Sequence, residues 1–318
     1  MMTKPGEDRM TKNNSEAVLR LGTRRSPLAL AQSGMVARAL EAAHPGLHVE
    51  LVPIVTTGDV TEGDLARFGG KGLFTQELEQ GLLDGSLDLA VHSLKDLPVA
   101  LPAGLAVAAH PERADARDVL VSEDAEGIDD LPAGAVVLTG ALRRRAQILI
   151  RRPDLRVEPL RGNVDTRLRK WRESGAGGVI LAGAGLHRLA LHDLPAHPIP
   201  PEVLLPAPGQ GTLALEVRAG SPAAGLCRAL DHPDTARAAD AERRVVAAFG
   251  GDCTLPLAAW ARPEGDGQIR LTALLATADG RHAARGEAVA ATPEEVAEAC
   301  VAALREDGAD EVLARIRG

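Results

Sequence analysis

Short apolar runs alternating with amphipathic ones organise this chain. Residues 17–22 read as a strand, and 28–43 carry a helical period. Ser26 stands at the N-cap of that helix and Pro27 at its first position, as both residue types favour. The pattern repeats as strand 48–55, helix 73–83, strand 87–91 and β-like stretches at 105–109 and 118–122. A second series follows: strand 135–139, helix 142–150, strand 157–160, helix 165–173, strand 178–181 and helix 184–191. Such alternation predicts parallel or mixed sheets with right-handed crossovers. Prolines 198, 200, 201, 206 and 208 mark a connection, Gly209-Gln210-Gly211 a hinge turn, and 212–217 a further strand. The pattern then changes. A helix over 234–248 precedes three stretches, 257–261, 269–276 and 283–290, that read as an antiparallel meander. Thr292, Pro293 and Glu295 supply an N-cap, a first-turn proline and a capping-box partner for a helix to 305.

Composition narrows the function classes. The chain has 318 residues, enough for two or three domains, and 45% hydrophobic residues, enough for full cores. With no Tyr, two Trp and three Phe, base stacking is not a theme, and a net charge of −8 opposes general nucleic-acid or anionic-membrane binding. Residues 142–172 depart from that balance, with eleven Lys/Arg against three Asp/Glu, which suggests a local site for a small anion. Three scattered cysteines, Cys227, Cys253 and Cys300, suit a reducing cytosol. Residues 1–15 are polar with mixed charge and read as a disordered tail rather than a signal peptide. No run reaches the ~18 apolar residues of a membrane span. Nine histidines show no ligand spacing, so a metal hydrolase has no donor set, and His92 reads as a packing or hydrogen-bonding residue.

The stretch 88–98 carries the densest chemistry. An apolar strand runs out into Ser93, Lys95 and Asp96 before Pro98, the way open α/β sheets present ligand-binding groups. Other bases share that topological level. Arg24, Arg25, Lys71, Lys95, Arg143, Arg144, Arg161 and Arg188 all follow a predicted strand or open a helix. Converging on a cleft between two lobes, they would hold a ligand with several carboxylates, which arginine pairs bidentately. Asp96 is the one acid among these bases, suited to stabilise a cation and accept protons. The polar, glycine-bearing 60–70 segment reads as a lid. Gly69-Gly-Lys-Gly72 lacks Walker spacing, so nucleotide binding is rejected.

The motifs Gly22-Thr-Arg-Arg-Ser-Pro-Leu-Ala-Leu30, Gly69-Gly-Lys-Gly-Leu-Phe74, Val91-His-Ser-Leu-Lys-Asp-Leu-Pro98, Leu142-Arg-Arg144, Leu160-Arg-Gly-Asn-Val164, Leu205-Pro-Ala-Pro-Gly-Gln-Gly211 and Gly251-Asp-Cys-Thr-Leu-Pro256 occur in one order. In this the chain resembles the porphobilinogen deaminase (hydroxymethylbilane synthase) family. The resemblance implies an α/β fold of two periplasmic-binding-protein-like lobes with a hinge, plus a small C-terminal α+β domain. It implies a cytoplasmic transferase of tetrapyrrole (haem) biosynthesis, acting as a monomer without nucleic-acid or membrane partners. Four porphobilinogen molecules would be joined head to tail into hydroxymethylbilane, with loss of ammonia, on a dipyrromethane cofactor held by a thioether from Cys253. Asp96 would be catalytic, protonating the departing amine and steadying an azafulvenium-type cation. Arg24, Ser26, Ser93, Lys95, Thr139, Arg143, Arg144, Arg161, Gly162, Arg167, Arg188 and Gln210 would bind cofactor and substrate. Arg67, Lys71 and Phe74 would act in closure, and no metal is implied.

The expected domains are 16–112 with 206–230, then 117–205, then 234–318, with hinges near 109–117 and 206–210. The chain departs from the family pattern at Gly140-Ala141, where hydroxyl residues are common, at Arg67, where lysine is frequent, and at Asp252, where glycine is common. The competing reading is a two-lobed, non-enzymatic receptor for a small polycarboxylate. It gives the third domain no role.

Overall fold

The computed structural model describes residues 17–56, 75–250 and 255–318. The lid expected at 60–70, with Arg67, Lys71 and Phe74, and the turn with Asp252 and Cys253 lie outside the described residues. The first sheet is built from β1 (Ala17–Arg24), β2 (Leu47–Ile54), β3 (Leu89–Ser93) and β4 (Leu105–Ala109), joined late in the chain by β10 (Leu213–Arg218). Its order is β2-β1-β3-β10-β4, with β10 antiparallel to both neighbours. The second sheet uses β5 (Asp118–Val121), β6 (Val136–Leu138), β7 (Arg156–Glu158), β8 (Gly178–Ala182) and β9 (Ala196–Pro198). Its order is β7-β6-β8-β5-β9, with β5 antiparallel to both neighbours. The two sheets are therefore wound alike, each with one antiparallel strand reached by a crossover from the other lobe. This is the hinged, two-lobed α/β arrangement expected from the sequence.

Alternation sets each core. Leu19 and Leu21 of β1, Leu89 and Val91 of β3, and Leu213, Leu215 and Val217 of β10 point to one face. They meet Val36 and Leu40 of α1 (Pro27–Ala43), whose N-cap Ser26 accepts from the Ala29 N–H. Leu21, Leu40, Leu89 and Leu215 are fully buried, each contributing about 1.5–3 kcal/mol. On the opposite face, α2 (Gln76–Asp84) packs Leu78 and Leu82 against Leu87 and Ala90. The second lobe carries α3 (Leu142–Arg151), α4 (Val164–Ser174) and α5 (Gly183–Arg188). The helix predicted over 184–191 stops early because Ala190 adopts φ 53 and the Leu191 N–H turns back to the Leu186 carbonyl.

After α6 (Pro222–Cys227), α7 (Pro233–Ala248) opens a third unit. Its sheet is the expected antiparallel meander of β11 (Leu257–Pro263), β12 (Ile269–Ala276) and β13 (Ala283–Ala290). One face is covered by α7, α8 (Pro293–Glu306) and α9 (Ala309–Arg317). The capping box forms as predicted, with Glu295 N–H to Thr292 Oγ1 and Thr292 N–H to Glu295 Oε2, both 3.2 Å. Short elements without a strong pattern, β9, α6 and α9, were not anticipated.

The two crossovers, 110–117 and 199–212, run side by side, and the third unit grips both. Arg113 donates to the Gln210 carbonyl at 2.8 Å and to Glu242 of α7 at 2.7 Å. Glu242, fully buried, also accepts from the Gly209 and Ala261 N–H groups. Gly209 (φ 73) and Gly211 (φ 86) occupy the left-handed region, and a Cβ on Gly211 would strike the Ala114 backbone.

Candidate anion-binding active site

The site collects the carboxyl ends of parallel strands from both lobes. In the first, β1 ends at Arg24, half-buried, with Ser26 capping α1 two residues further on and Arg25 turned to solvent. Strand β3 ends at Ser93, whose hydroxyl accepts from Gln32 of α1 at 3.0 Å. A single 3₁₀ turn, Leu94–Asp96, then presents Lys95 and an exposed Asp96. That turn is seated from below: Leu94 and Leu97 are buried against Ala214 and Ala239. Arg243 of α7 donates to the carbonyls of Leu97, Pro98 and Val99. His92, on the other face of β3, lies with Nε2 2.9 Å from Glu216 Oε2 inside the lobe, away from this chemistry.

The second lobe supplies most of the cations. Thr139 follows β6, and its Oγ1 accepts from the Ala141 N–H at 3.3 Å. The next residue, Gly140, takes up a position where a Cβ would fall 2.5 Å from the Leu160 carbonyl oxygen. A side chain at 140 would not fit on this backbone, whereas nothing in the structure explains Ala141. Arg143 and Arg144 occupy the first turn of α3, both buried. Beyond β7 come the exposed Arg161 and Gly162 (φ 121), then Asn163, which caps α4 through the Thr166 N–H at 2.9 Å. The cap places Arg167 on the first turn of α4 facing inward. Arg188 closes α5 and donates to the Gly211 carbonyl of the hinge at 2.6 Å.

Lys95, Asp96, Asp118, Arg143, Arg144 and Arg167 meet in one electrostatic cluster. Lys95 is influenced by Asp96, Arg144, Asp118 and Arg143, and Arg167 by Arg144 and Asp96. Gln210, fully buried, joins the lobes: its Oε1 accepts from Lys95 Nζ at 3.4 Å and from Arg143 at 3.0 Å. Burial lowers the Lys95 ammonium to about 8 and Arg188 to about 10, and lowers Arg143 and Arg167 as well. Among the described residues, the Nε groups of Arg167 and Arg188 are buried without a hydrogen-bond partner. Desolvated cations with idle donors are costly unless an anion arrives. The site is thus suited to an anion.

One expectation is corrected. Asp96 is not the only acid among the bases, because Asp118, at the first position of β5, is fully buried against Arg143 and Arg144. Sequence reading also treated those two arginines alike. Arg143 makes hydrogen bonds to both Asp118 oxygens, the Leu205 carbonyl and Gln210, leaving one of its five N–H groups. Arg144 makes two bonds to Asp118 Oδ1 and one to the Ile180 carbonyl, leaving two. Gln32, Arg113, Asp118, Glu242 and Arg243 were all missed. The one local signal was an acid on an otherwise apolar strand or helix face, as at Asp118 and Glu242.

Two like-wound α/β lobes on a double crossover, with cations and an exposed carboxylate at their strand tips, define a two-lobed α/β protein whose site suits a small anion. The chain belongs to the porphobilinogen deaminase family. Residues 19–224 match the family's dipyromethane cofactor binding domain and residues 236–308 its C-terminal domain. A porphobilinogen deaminase of Syntrophotalea carbinolica is 46% identical over 306 residues, covering 95% of this chain and 97% of that protein. Among solved structures, the periplasmic VFT2 domain of Bordetella pertussis BvgS aligns at TM-score 0.38 and 15% identity, over 68% of this chain and 87% of that one. A nutrient binding protein from Burkholderia cenocepacia bound to methionine aligns at TM-score 0.40 and 13% identity, over 68% and 93%.

Proposed function

We propose that this chain is a transferase of tetrapyrrole biosynthesis that joins four porphobilinogen molecules head to tail into hydroxymethylbilane, releasing ammonia at each step. The observation that carries the reading is the pair of half-buried arginines, Arg167 and Arg188, whose buried Nε donors are unused, at the strand tips of the second lobe. Porphobilinogen bears an acetate and a propionate on each ring, so a chain of rings presents a row of carboxylates to such a cluster. The same donors fit a dipyrromethane cofactor, which would be anchored on Cys253. When bound, that group supplies the nucleophilic pyrrole terminus on which the product grows.

The chain's own residues do the rest. Arg144, Arg167, Arg188 and Lys95 grip carboxylates, and Arg24, Ser26, Ser93, Thr139, Arg161 and Gly162 extend the binding surface along the strand tips. Asp96 gives and takes protons at the reacting carbon and nitrogen, and its charge offsets the cation that develops as ammonia leaves. Arg143 and Gln210 hold the hinge side of the cleft. Arg67, Lys71 and Phe74 are assigned to closure. The lobes correspond to 16–112 with 206–230 and to 117–205, and 234–318 form the third domain. A cytoplasmic monomer completes the proposal. The free, buried thiols of Cys227 and Cys300 are in keeping with a reducing compartment, and no helix among the described residues is long and apolar enough to cross a membrane.

Incubation with porphobilinogen is expected to release ammonia and hydroxymethylbilane in a four-to-one ratio. Saturable binding without ammonia release would replace the enzyme with a receptor. The grip should also depend on pH. Lys95 is cationic below about 8 and loses its charge as pH rises through that value. KM for porphobilinogen is therefore expected to climb on the alkaline side, read from initial rates across this range, whereas a flat KM would remove Lys95 from the carboxylate grip.

A further inference from the structure

We propose that Asp118 is the positioning residue of the site, a carboxylate that touches no ligand but aims Arg144 into the cleft and, through Gln210, ties it to Lys95 on the opposite lobe. The inference rests on the proposed reading that the cleft takes carboxylated pyrroles. Asp118 is the first residue of β5, where the chain has just crossed into the second lobe, and it has no exposed surface. Its Oδ1 accepts from Arg144 Nη2 at 2.7 Å, Arg144 Nε at 3.1 Å, Arg143 Nη2 at 3.1 Å and Gln210 Nε2 at 2.8 Å. Its Oδ2 accepts from Arg143 Nη1 at 2.7 Å. Both oxygens are committed to the protein, so the group is unavailable to substrate.

The geometry fixes three things at once. The carboxylate pins one edge of the Arg144 guanidinium, while the Ile180 carbonyl takes a donor of the other edge at 2.9 Å, so the two remaining N–H groups have a set direction. It also sets the Gln210 amide. With Nε2 donating to Asp118 and to the Ala116 carbonyl at 2.7 Å, Oε1 must face Arg143 and Lys95. Reversing that amide would set an N–H against two cations. Finally, the Asp118 charge helps keep Lys95 protonated, against the burial and the two arginines that oppose it. One buried acid thus orients an arginine of one lobe and supports the lysine beside the catalytic aspartate of the other. The pattern is that of an outer carboxylate fixing the groups that contact the ligand.

The test is Asp118→Asn, in which either amide rotamer sets an N–H against a guanidinium. The protein as isolated is treated with limiting acetic anhydride over a pH series, and acetylation of Lys95 is read by mass spectrometry. The midpoint, near 8 in the parent, is expected to move to lower pH. In the same variant KM for porphobilinogen is expected to rise roughly ten- to a hundred-fold, with a smaller change in kcat. A folded variant with an unmoved Lys95 profile and an unchanged KM would overturn the proposal. Should Asp118→Asn not fold, Gln210→Leu decides, because it spares both arginine pairs of Asp118 yet removes the link to Lys95. An unmoved Lys95 profile in that variant would equally overturn the proposal. Acetylation needs no substrate, so a parent protein that ignores porphobilinogen would refute the proposed reaction without touching this result.

Discussion

Asp96→Asn is expected to leave the protein folded, with any bound pyrrole mass retained, while turnover falls roughly 10²–10⁴-fold. The fold is insensitive because Asp96 is exposed at the end of a 3₁₀ turn, and the turn is held by other groups: Leu94 and Leu97 below it and Arg243 on the carbonyls that follow. Surface substitutions of this kind stay within about ±0.5 kcal/mol. The chemistry is sensitive because the amide neither takes nor gives a proton and carries no charge. Asp96 is also the acid that acts across the cleft on Arg167, supporting its charge against burial and against Arg144. Removing it leaves a site of cations facing a developing cation. Single-turnover release of ammonia, beside a thermal melt and an intact mass, checks each part. Near-normal release would assign the proton transfers to another group.

Much of the architecture was legible because it is encoded locally. Parallel strands ending in Arg24, Ser93, Thr139 and the 159–163 turn place those residues at the carboxyl end of their own sheets whatever the tertiary detail. Caps at Ser26 and Thr292 are read from a few neighbouring residues. The partners that give Asp118 and Glu242 their meaning are not. Asp118 meets Arg143 25 positions away and Gln210 92 away, and Glu242 meets Arg113 across 129. Nothing in a window of the sequence records such pairings. The difference between Arg143 and Arg144 is hidden for the same reason. Adjacent on one helical turn, they divide between hinge and cleft only once Leu205, Gln210 and Ile180 have arrived from elsewhere. Gly140 is a related case: it looked like a lost donor, and its cause is a carbonyl from Leu160 that packs where a side chain would stand.

Cys253→Ala is expected to abolish covalent attachment, so that the purified variant has the mass of its sequence alone and the parent is heavier by two linked pyrrole units. The expectation depends on the other thiols being unable to substitute, and their surroundings supply the reason. Cys227, at the end of α6, has no exposed surface and packs among Ala223, Val217 and Leu40. Cys300, in the middle of α8, is equally enclosed by the third unit's core, and its Sγ lies 3.5 Å from the Gly286 carbonyl. Burial pushes both thiols up to about 12, so neither forms an appreciable thiolate at neutral pH, and thiolate is the reactive species. The arginine cluster is built from residues far from 253 in sequence and does not need the thioether to form. Cys253→Ala should therefore keep its melting transition close to that of the parent freed of its pyrroles and still bind porphobilinogen carboxylates, while losing sustained turnover. A variant that gained the pyrrole mass would place the attachment on a different nucleophile. A variant that stayed unmodified yet turned over at the parent rate would remove the covalent primer from the mechanism.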